Sequence, residues 1–213
     1  MPDWEYRLWN EDNFPISDSP QYVREAYAAK KYAFVSDYVR LWALNEWGGL
    51  YLDTDVEVLK SFENLLGQKV FIGFEESLDH LPATCVIGSV SDSQWLRDMM
   101  TLYNGIHFRA TDGTLDLTTN VRRLGDLMTA NGLIPNGKYQ IVSKWELSVY
   151  PHDYFSPLTS TRVMRKTKNT YCIHRFAGSW SDSEKTCFKG NAVIREFINA
   201  MVQIKRVLKK AIG

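Results

Sequence analysis

The stretch Trp47-Gly48-Gly49-Leu50-Tyr51-Leu52-Asp53-Thr54-Asp55-Val56 decides how the rest of the chain is read. A glycine pair leads into a short apolar run, and the run ends in two aspartates one residue apart. Leu50, Tyr51, Leu52 and Val56 predict a buried strand, fed from a helix through the Gly48-Gly49 turn. Alternate side chains of a strand share a face, which would point Tyr51, Asp53 and Asp55 one way and Leu50, Leu52 and Thr54 the other. Carboxylates this close repel one another and raise each other's pKa unless a cation stands between them. Mg²⁺ and Mn²⁺ take oxygen ligands, commonly one or two carboxylates completed by a substrate's phosphates. The functional reading is a metal–diphosphate site at a strand end, although a bare Asp-x-Asp triplet more often marks a solvated one. An EF-hand calcium loop is argued against, because its sixth position must be Gly and is Val58 here.

Working outward, the residues before this stretch predict a helix over Tyr32–Trp47, with Phe34, Tyr38, Leu41 and Trp42 as its apolar stripe. Asp37 and Arg40 lie on one face of it. Spacing alone favours a surface ion pair worth under ~1 kcal/mol. The alternative is that both face the crevice beside Asp53, where an arginine could hold a phosphate or a sugar hydroxyl. Further upstream, Trp4–Trp9 alternates as a half-buried strand, and Ser19-Pro20 opens a helix as N-cap and first helical residue.

Downstream, strands are predicted at 70–74 and 84–90, and a helix at 93–103 whose Met and aromatic stripe reads as core. Thr118-Thr119-Asn120 caps a helix running to about Ala130, which Asn131-Gly132 ends. Short strands follow at 140–142 and 148–150. A last strand at 171–177 carries His174 toward Gly178-Ser179-Trp180. The run 192–212 predicts a basic amphipathic helix. Its apolar stripe fits a protein core better than an anionic membrane surface, though peripheral membrane contact is the other option. The order of elements predicts an α/β fold with a mixed, largely parallel sheet, in which ligands bind beyond the carboxyl ends of the strands.

The chain as a whole sets limits. Its 213 residues suit a single domain over 1–213. Lysine plus arginine and aspartate plus glutamate balance at 25 each, so no global charge points to nucleic acid. Cys85, Cys172 and Cys187 show neither a zinc spacing nor a disulfide framework and read as reduced, cytoplasmic thiols. No apolar run reaches the length of a membrane span, and no signal peptide is evident.

Ala33-Phe34-Val35-Ser36-Asp37-Tyr38-Val39-Arg40-Leu41 followed by the stretch quoted above resembles the signature block of glycosyltransferase family 32, the DXD-motif sugar transferases. Phe71-Ile72-Gly73-Phe74-Glu75 and the late His174-Arg175-Phe176-Ala177-Gly178-Ser179-Trp180 are similar to the same family. The resemblance runs from about Trp4 to Trp180. It implies a GT-A-type nucleotide-sugar-binding fold and a divalent metal, Mn²⁺ or Mg²⁺. It further implies a UDP- or GDP-sugar donor, a glycan or lipid-linked acceptor, and transfer with retention of configuration in surface polysaccharide synthesis. By the resemblance, Asp55 is the direct metal ligand and Asp53 contacts the donor and the metal's water shell. Asp37 and Arg40 hold the donor sugar and phosphate, Tyr51 stands beside the diphosphate, and Ser179 and Trp180 form a closing lid. His174 is a further candidate metal ligand, or else a core histidine. The attacking hydroxyl is expected to give its proton to a phosphate oxygen, so no general base is assigned. Glu75, Glu76 and Asn120 are candidates for the acceptor side. Family members usually begin with a strand that this chain lacks before Trp4, so an N-terminally shortened member with weakened nucleotide binding and a tendency to self-associate is expected.

Two other classes compete. A haloacid-dehalogenase-like phosphohydrolase also places Asp-x-Asp after an apolar strand, with the first aspartate as nucleophile. It normally has Thr or Val where Glu57 stands, and its motif follows the first strand. A non-catalytic nucleotide-sugar-binding remnant is the other alternative, distinguished by binding without turnover.

Overall fold

The computed structural model describes residues 4–76, 79–159, 161–176 and 201–206, the last as backbone. The chain enters on β1 (Trp4–Trp9) and passes through α1 (Gln21–Ala28) and α2 (Tyr32–Trp47) to β2 (Gly49–Leu52) and β3 (Val56–Val58). Next come β4 (Val70–Phe74), β5 (Pro82–Ser89), α3 (Gln94–Thr101), α4 (Asn120–Ala130), β6 (Gln140–Val142) and β7 (Leu147–Tyr150). The short α5 (His152–Phe155), β8 (Cys172–His174) and β9 (Met201–Arg206) complete the described elements.

Local chemistry sets the boundaries. Ser93 and Thr119 cap α3 and α4, their side chains accepting from the backbone N–H groups of Leu96 and Arg122. Pro20, rather than Ser19, takes the N-cap position of α1. Helix α2 stops at Gly48, whose φ of 62° and ψ of −170° belong to a region open essentially to glycine alone. A Cβ there would also stand 2.6 Å from the backbone nitrogen of Ser91. This turn swings the chain from α2 into β2, so that Leu41 and Leu44, both wholly buried, pack the helix over the sheet. Burying each of them stabilises the fold by roughly 1.5–3 kcal/mol.

Seven strands form one sheet in the order β1-β9-β2-β5-β4-β7-β6, and β3 pairs with β8 in a small second sheet. The expected largely parallel sheet needs correction. Among the described strands only β4 and β7 are parallel neighbours, and every other pairing is antiparallel. The pairings still run β1, β2, β4 and β7 in one direction, so β2, β4 and β7 end at the same edge of the sheet. That edge carries Asp53 after β2, Glu75 and Glu76 after β4, and His152 after β7.

The helix expected over 192–212 is also corrected at Met201–Arg206, which is strand β9. It lies antiparallel between β1 and β2, pairing Trp4 with Arg206 on one side and Leu50 with Ile204 on the other. In this segment Val202 and Ile204 alternate with Gln203 and Lys205, so the sequence supports a two-residue period as well as a helical one. Ladder hydrogen bonds on both sides decide between them. The remainder of 192–212 lies outside the described residues.

The sheet separates two cores. On the α2 face, Tyr51, Val70, Ile72 and Phe74 meet Leu41, Leu44, Trp95 and Met99. On the other, Leu50, Leu52 and Phe71 meet Phe62, Phe155 and Cys172, with Val56 and Val58 packed alongside. The β3–β8 pair therefore sits on the face opposite α2. No helix among the described residues is long and apolar enough to cross a membrane.

Candidate active site

Strand β2 was expected to run on through Asp55; it stops at Leu52. The Asp53 N–H still donates to the Cys85 carbonyl (2.9 Å), and the chain then turns as the Val56 N–H donates back to the Asp53 carbonyl (3.0 Å). Strict alternation thus holds for Tyr51 and Asp53, whose phenol and carboxylate are hydrogen-bonded, Tyr51 donating. It does not place Asp55, which sits in the turn. Asp55 is fixed instead from β8, because the Arg175 N–H donates to its carbonyl (3.0 Å) and Val56 pairs with His174.

That pairing brings His174 over the turn. Its Nε2 lies 3.4 Å from Asp55 Oδ1 and 4.0 Å from Asp53 Oδ2. One ligand atom from each of Asp53, Asp55 and His174 falls within a mutual 4.8 Å. All three side chains keep some solvent access, at 24, 21 and 16% exposure. Burial works against charge on His174, yet the Cys85 thiol beside it and the Asp55 carboxylate raise its pKa to about 11. The Cys85 thiol is itself pushed up to about 11 by burial. Two carboxylates and an imidazole suit Mn²⁺, which accepts oxygen and nitrogen donors and leaves positions for phosphate oxygens.

Beneath this triad lies Arg40, only 5% exposed. The surface-pair reading of Asp37 and Arg40 is therefore overturned. Arg40 Nη2 meets Asp37 Oδ1 at 2.9 Å and Nη1 lies 3.3 Å from Asp53 Oδ1. Nη1 also donates to the Thr84 carbonyl (2.9 Å) and hydroxyl (3.2 Å), Nε to the Ser36 carbonyl (3.2 Å), and Nη2 to the Ser36 hydroxyl (3.4 Å). The guanidinium stacks on the Tyr51 ring at 4.7 Å. A guanidinium has five N–H donors, and here protein oxygens surround all of them. In this arrangement Arg40 orders Asp37 and Asp53 and presents no free fork to a phosphate. Burial alone would lower its pKa, but Tyr51, Asp53 and Asp37 raise it, so its charge is permanent.

Asp37 moves the other way. Burial raises its carboxyl to about 6, against the pull of Arg40 and an N–H donated by the Asn120 backbone. Asn120, a candidate for the acceptor side, joins the same network, its Nδ2 donating to the Thr84 hydroxyl (3.0 Å). Thr84 and Cys85 carried no signal in the sequence, since small residues inside an apolar strand look like core. Glu75 reaches the same edge, its carboxyl raised by burial and sensing the charges of His174 and Asp53. Ser179 and Trp180 lie outside the described residues.

Asp37, Arg40, Tyr51, Asp53, Asp55 and His174 are thus brought together at one sheet edge. Residues 1–72, a stretch holding β1, α2 and the Asp53–Asp55 turn, match the family model for the glycosyltransferase sugar-binding region containing the DXD motif. The match supports a glycosyltransferase sugar-binding function of the DXD type. Searches among curated proteins and among solved structures returned no match.

Proposed function

We propose that this chain is a metal-dependent glycosyltransferase that moves a sugar, with retention, from a UDP- or GDP-sugar to a hydroxyl of a glycan or lipid-linked acceptor. The observation that carries it is the convergence of Asp53, Asp55 and His174 within 4.8 Å inside and beside the DXD match. A divalent ion held by these three side chains would supply Lewis-acid neutralisation of the charge developing on the departing diphosphate. Arg40 holds the Asp37 and Asp53 carboxylates in place, so little reorganisation is needed when donor arrives. Asp37 keeps 14% side-chain exposure, through which a ribose or sugar hydroxyl would reach its carboxylate. Tyr51 orients Asp53 through its phenol.

The test is calorimetry of UDP, GDP and their sugars with and without Mn²⁺, paired with assays of donor consumption. Asp55→Asn should lose Mn²⁺-dependent binding by at least about tenfold, because an amide is a neutral, weaker ligand for a hard cation. Wild-type binding by Asp55→Asn at equal Mn²⁺ would refute the metal assignment. Binding without any donor consumption would identify a non-catalytic module instead.

A further inference from the structure

Between α5 and β8 the chain makes a hairpin. It is closed by a bridge between Leu158 and Met164, by the Thr159 N–H on the Val163 carbonyl (2.9 Å) and by the Arg165 N–H on the Pro157 carbonyl (2.8 Å). Residues 161–168 are all exposed. They carry Arg162, Arg165, Lys166 and Lys168, and no aspartate or glutamate occurs from 154 to 181. In a chain whose charges balance at 25 each, this is a patch of one sign. Lys60 joins it, its Nζ donating to the Lys168 carbonyl (3.0 Å). Arg165 finds a carboxylate, Glu76, at 3.0 Å. Among the described residues no carboxylate lies within ion-pair distance of Lys60, Arg162, Lys166 or Lys168. These like charges repel one another, and an anionic partner relieves that repulsion.

At the tip, between Arg162 and Arg165, stand Val163 and Met164, 51 and 41% exposed. Aliphatic side chains framed by cations suit an anionic bilayer. Lysine and arginine stay at the level of the lipid phosphates, and the apolar pair enters below them. Sites for single-stranded nucleic acid set aromatic rings among their cations, and 161–168 has none. The hairpin is also tied to the rim of the DXD site. Arg162 Nη1 donates to the Arg175 carbonyl (2.8 Å) and Nη2 to that of Phe176 (3.1 Å), the two residues after His174. Arg165 meets Glu76 two residues past β4, at the edge that carries Asp53.

We propose that the hairpin docks the protein on an anionic membrane surface, with Lys60, Arg162, Lys166 and Lys168 against the lipid phosphates and Val163 and Met164 inserted. The contact is made by a segment distinct from the run 192–212. Docking itself does not depend on the transferase reading. Its consequence does: the edge bearing Asp53, Asp55 and His174 is held at the bilayer surface, where a lipid-linked acceptor presents its hydroxyl.

The test is sedimentation of the full chain with vesicles of phosphatidylcholine, alone or mixed with phosphatidylglycerol, at low and at physiological salt. Wild type should bind the anionic vesicles only, and more weakly as salt rises. Lys166→Gln combined with Lys168→Gln should weaken binding about twenty- to thirtyfold, each cation at such a surface contributing about fivefold. Val163→Ser combined with Met164→Ser leaves the charge unchanged and should weaken it about tenfold. All four side chains are exposed, so both variants should melt with wild type and bind UDP or GDP with Mn²⁺ as it does. No binding to anionic vesicles, or equal binding to neutral ones, would overturn the proposal, as would wild-type affinity in either variant. Binding of polyuridylate that the lysine variant loses and the Val163/Met164 variant keeps would make the patch a nucleic-acid site instead. Vesicle binding as expected, in a wild type that binds neither UDP nor GDP with Mn²⁺, would sink the transferase reading and leave the docking surface standing.

Discussion

Replacing Arg40 with Met keeps an unbranched apolar stem of similar course and removes the guanidinium with its charge and all of its donors. Asp37 and Asp53, at 14 and 24% side-chain exposure, then lose a counter-charge at 2.9 and 3.3 Å, and the Thr84 and Ser36 carbonyls lose a donor each. Breaking a buried pair from one side costs about 3–5 kcal/mol, because the remaining charge stays buried. For a chain of this size each kcal/mol moves Tm by about 2–4 °C, so a fall of roughly 6–20 °C is expected near pH 8. The loss should shrink in acid. Burial already lifts Asp37 to about 6 in the folded protein, and Arg40 is the chief influence holding it down. A carboxyl raised above its unfolded value favours folding below the unfolded pKa, and that contribution disappears as pH rises through the folded one. In wild type the decline falls between about pH 4 and 6; without Arg40 it extends higher, so Arg40→Met should lie closest to wild type near pH 5. Arg40→Lys should recover part of the stability through its charge but not the bonds to Ser36 and Thr84. Scanning calorimetry at pH 5 and pH 8 checks this. A Tm within about 2 °C of wild type at both values would show that the buried network contributes no net stability.

Mn²⁺ binding should release about one proton near pH 7–8. Cys85 and the Asp55 carboxylate raise the pKa of His174 against the effect of burial, which favours its protonated form without an ion, and it must be neutral to ligate. Calorimetry in two buffers of different ionisation enthalpy measures the release, and zero protons would refute a His174 that is charged before it ligates. Gly88→Ala should destabilise by about 1–3 kcal/mol. A Cβ there would stand 2.1 Å from the ring of Phe71, which is packed against Phe155 and has nowhere to move. Denaturant unfolding reads this directly, and wild-type stability would mean that the sheet yields more easily than the packing implies.

Helix α2 and strands β4, β6 and β7 were legible because their signals are local: a glycine stop, a hydrophobic period, strands bounded by turns. The clustering of Asp37, Arg40, Tyr51 and Asp53 was legible for the same reason, since α2, Gly48 and β2 are consecutive. What spacing could not reveal was the depth of Arg40. Its burial comes from Thr84, 44 residues away, whose carbonyl and hydroxyl close over the guanidinium. His174 was equally ambiguous until β8 paired with β3 and set it against Asp55. Strand β9 was misread because Met201–Arg206 satisfies both periods, and only distant backbone partners on β1 and β2 choose between them.

That choice carries a consequence in time. Strand β1 reaches β2 only through β9, and Trp4 is in register with Arg206. A ribosome adding about 5–20 residues per second makes those two partners on the order of 10–40 s apart. Throughout that interval the strand that presents Asp53 is the rim of an unfinished sheet, with its backbone open to any extended segment that passes. Pairings this distant are also the slowest to form once the chain is released. The sheet around the aspartates is therefore completed last, and refolding from denaturant should show helix signals well before full sheet protection in hydrogen exchange.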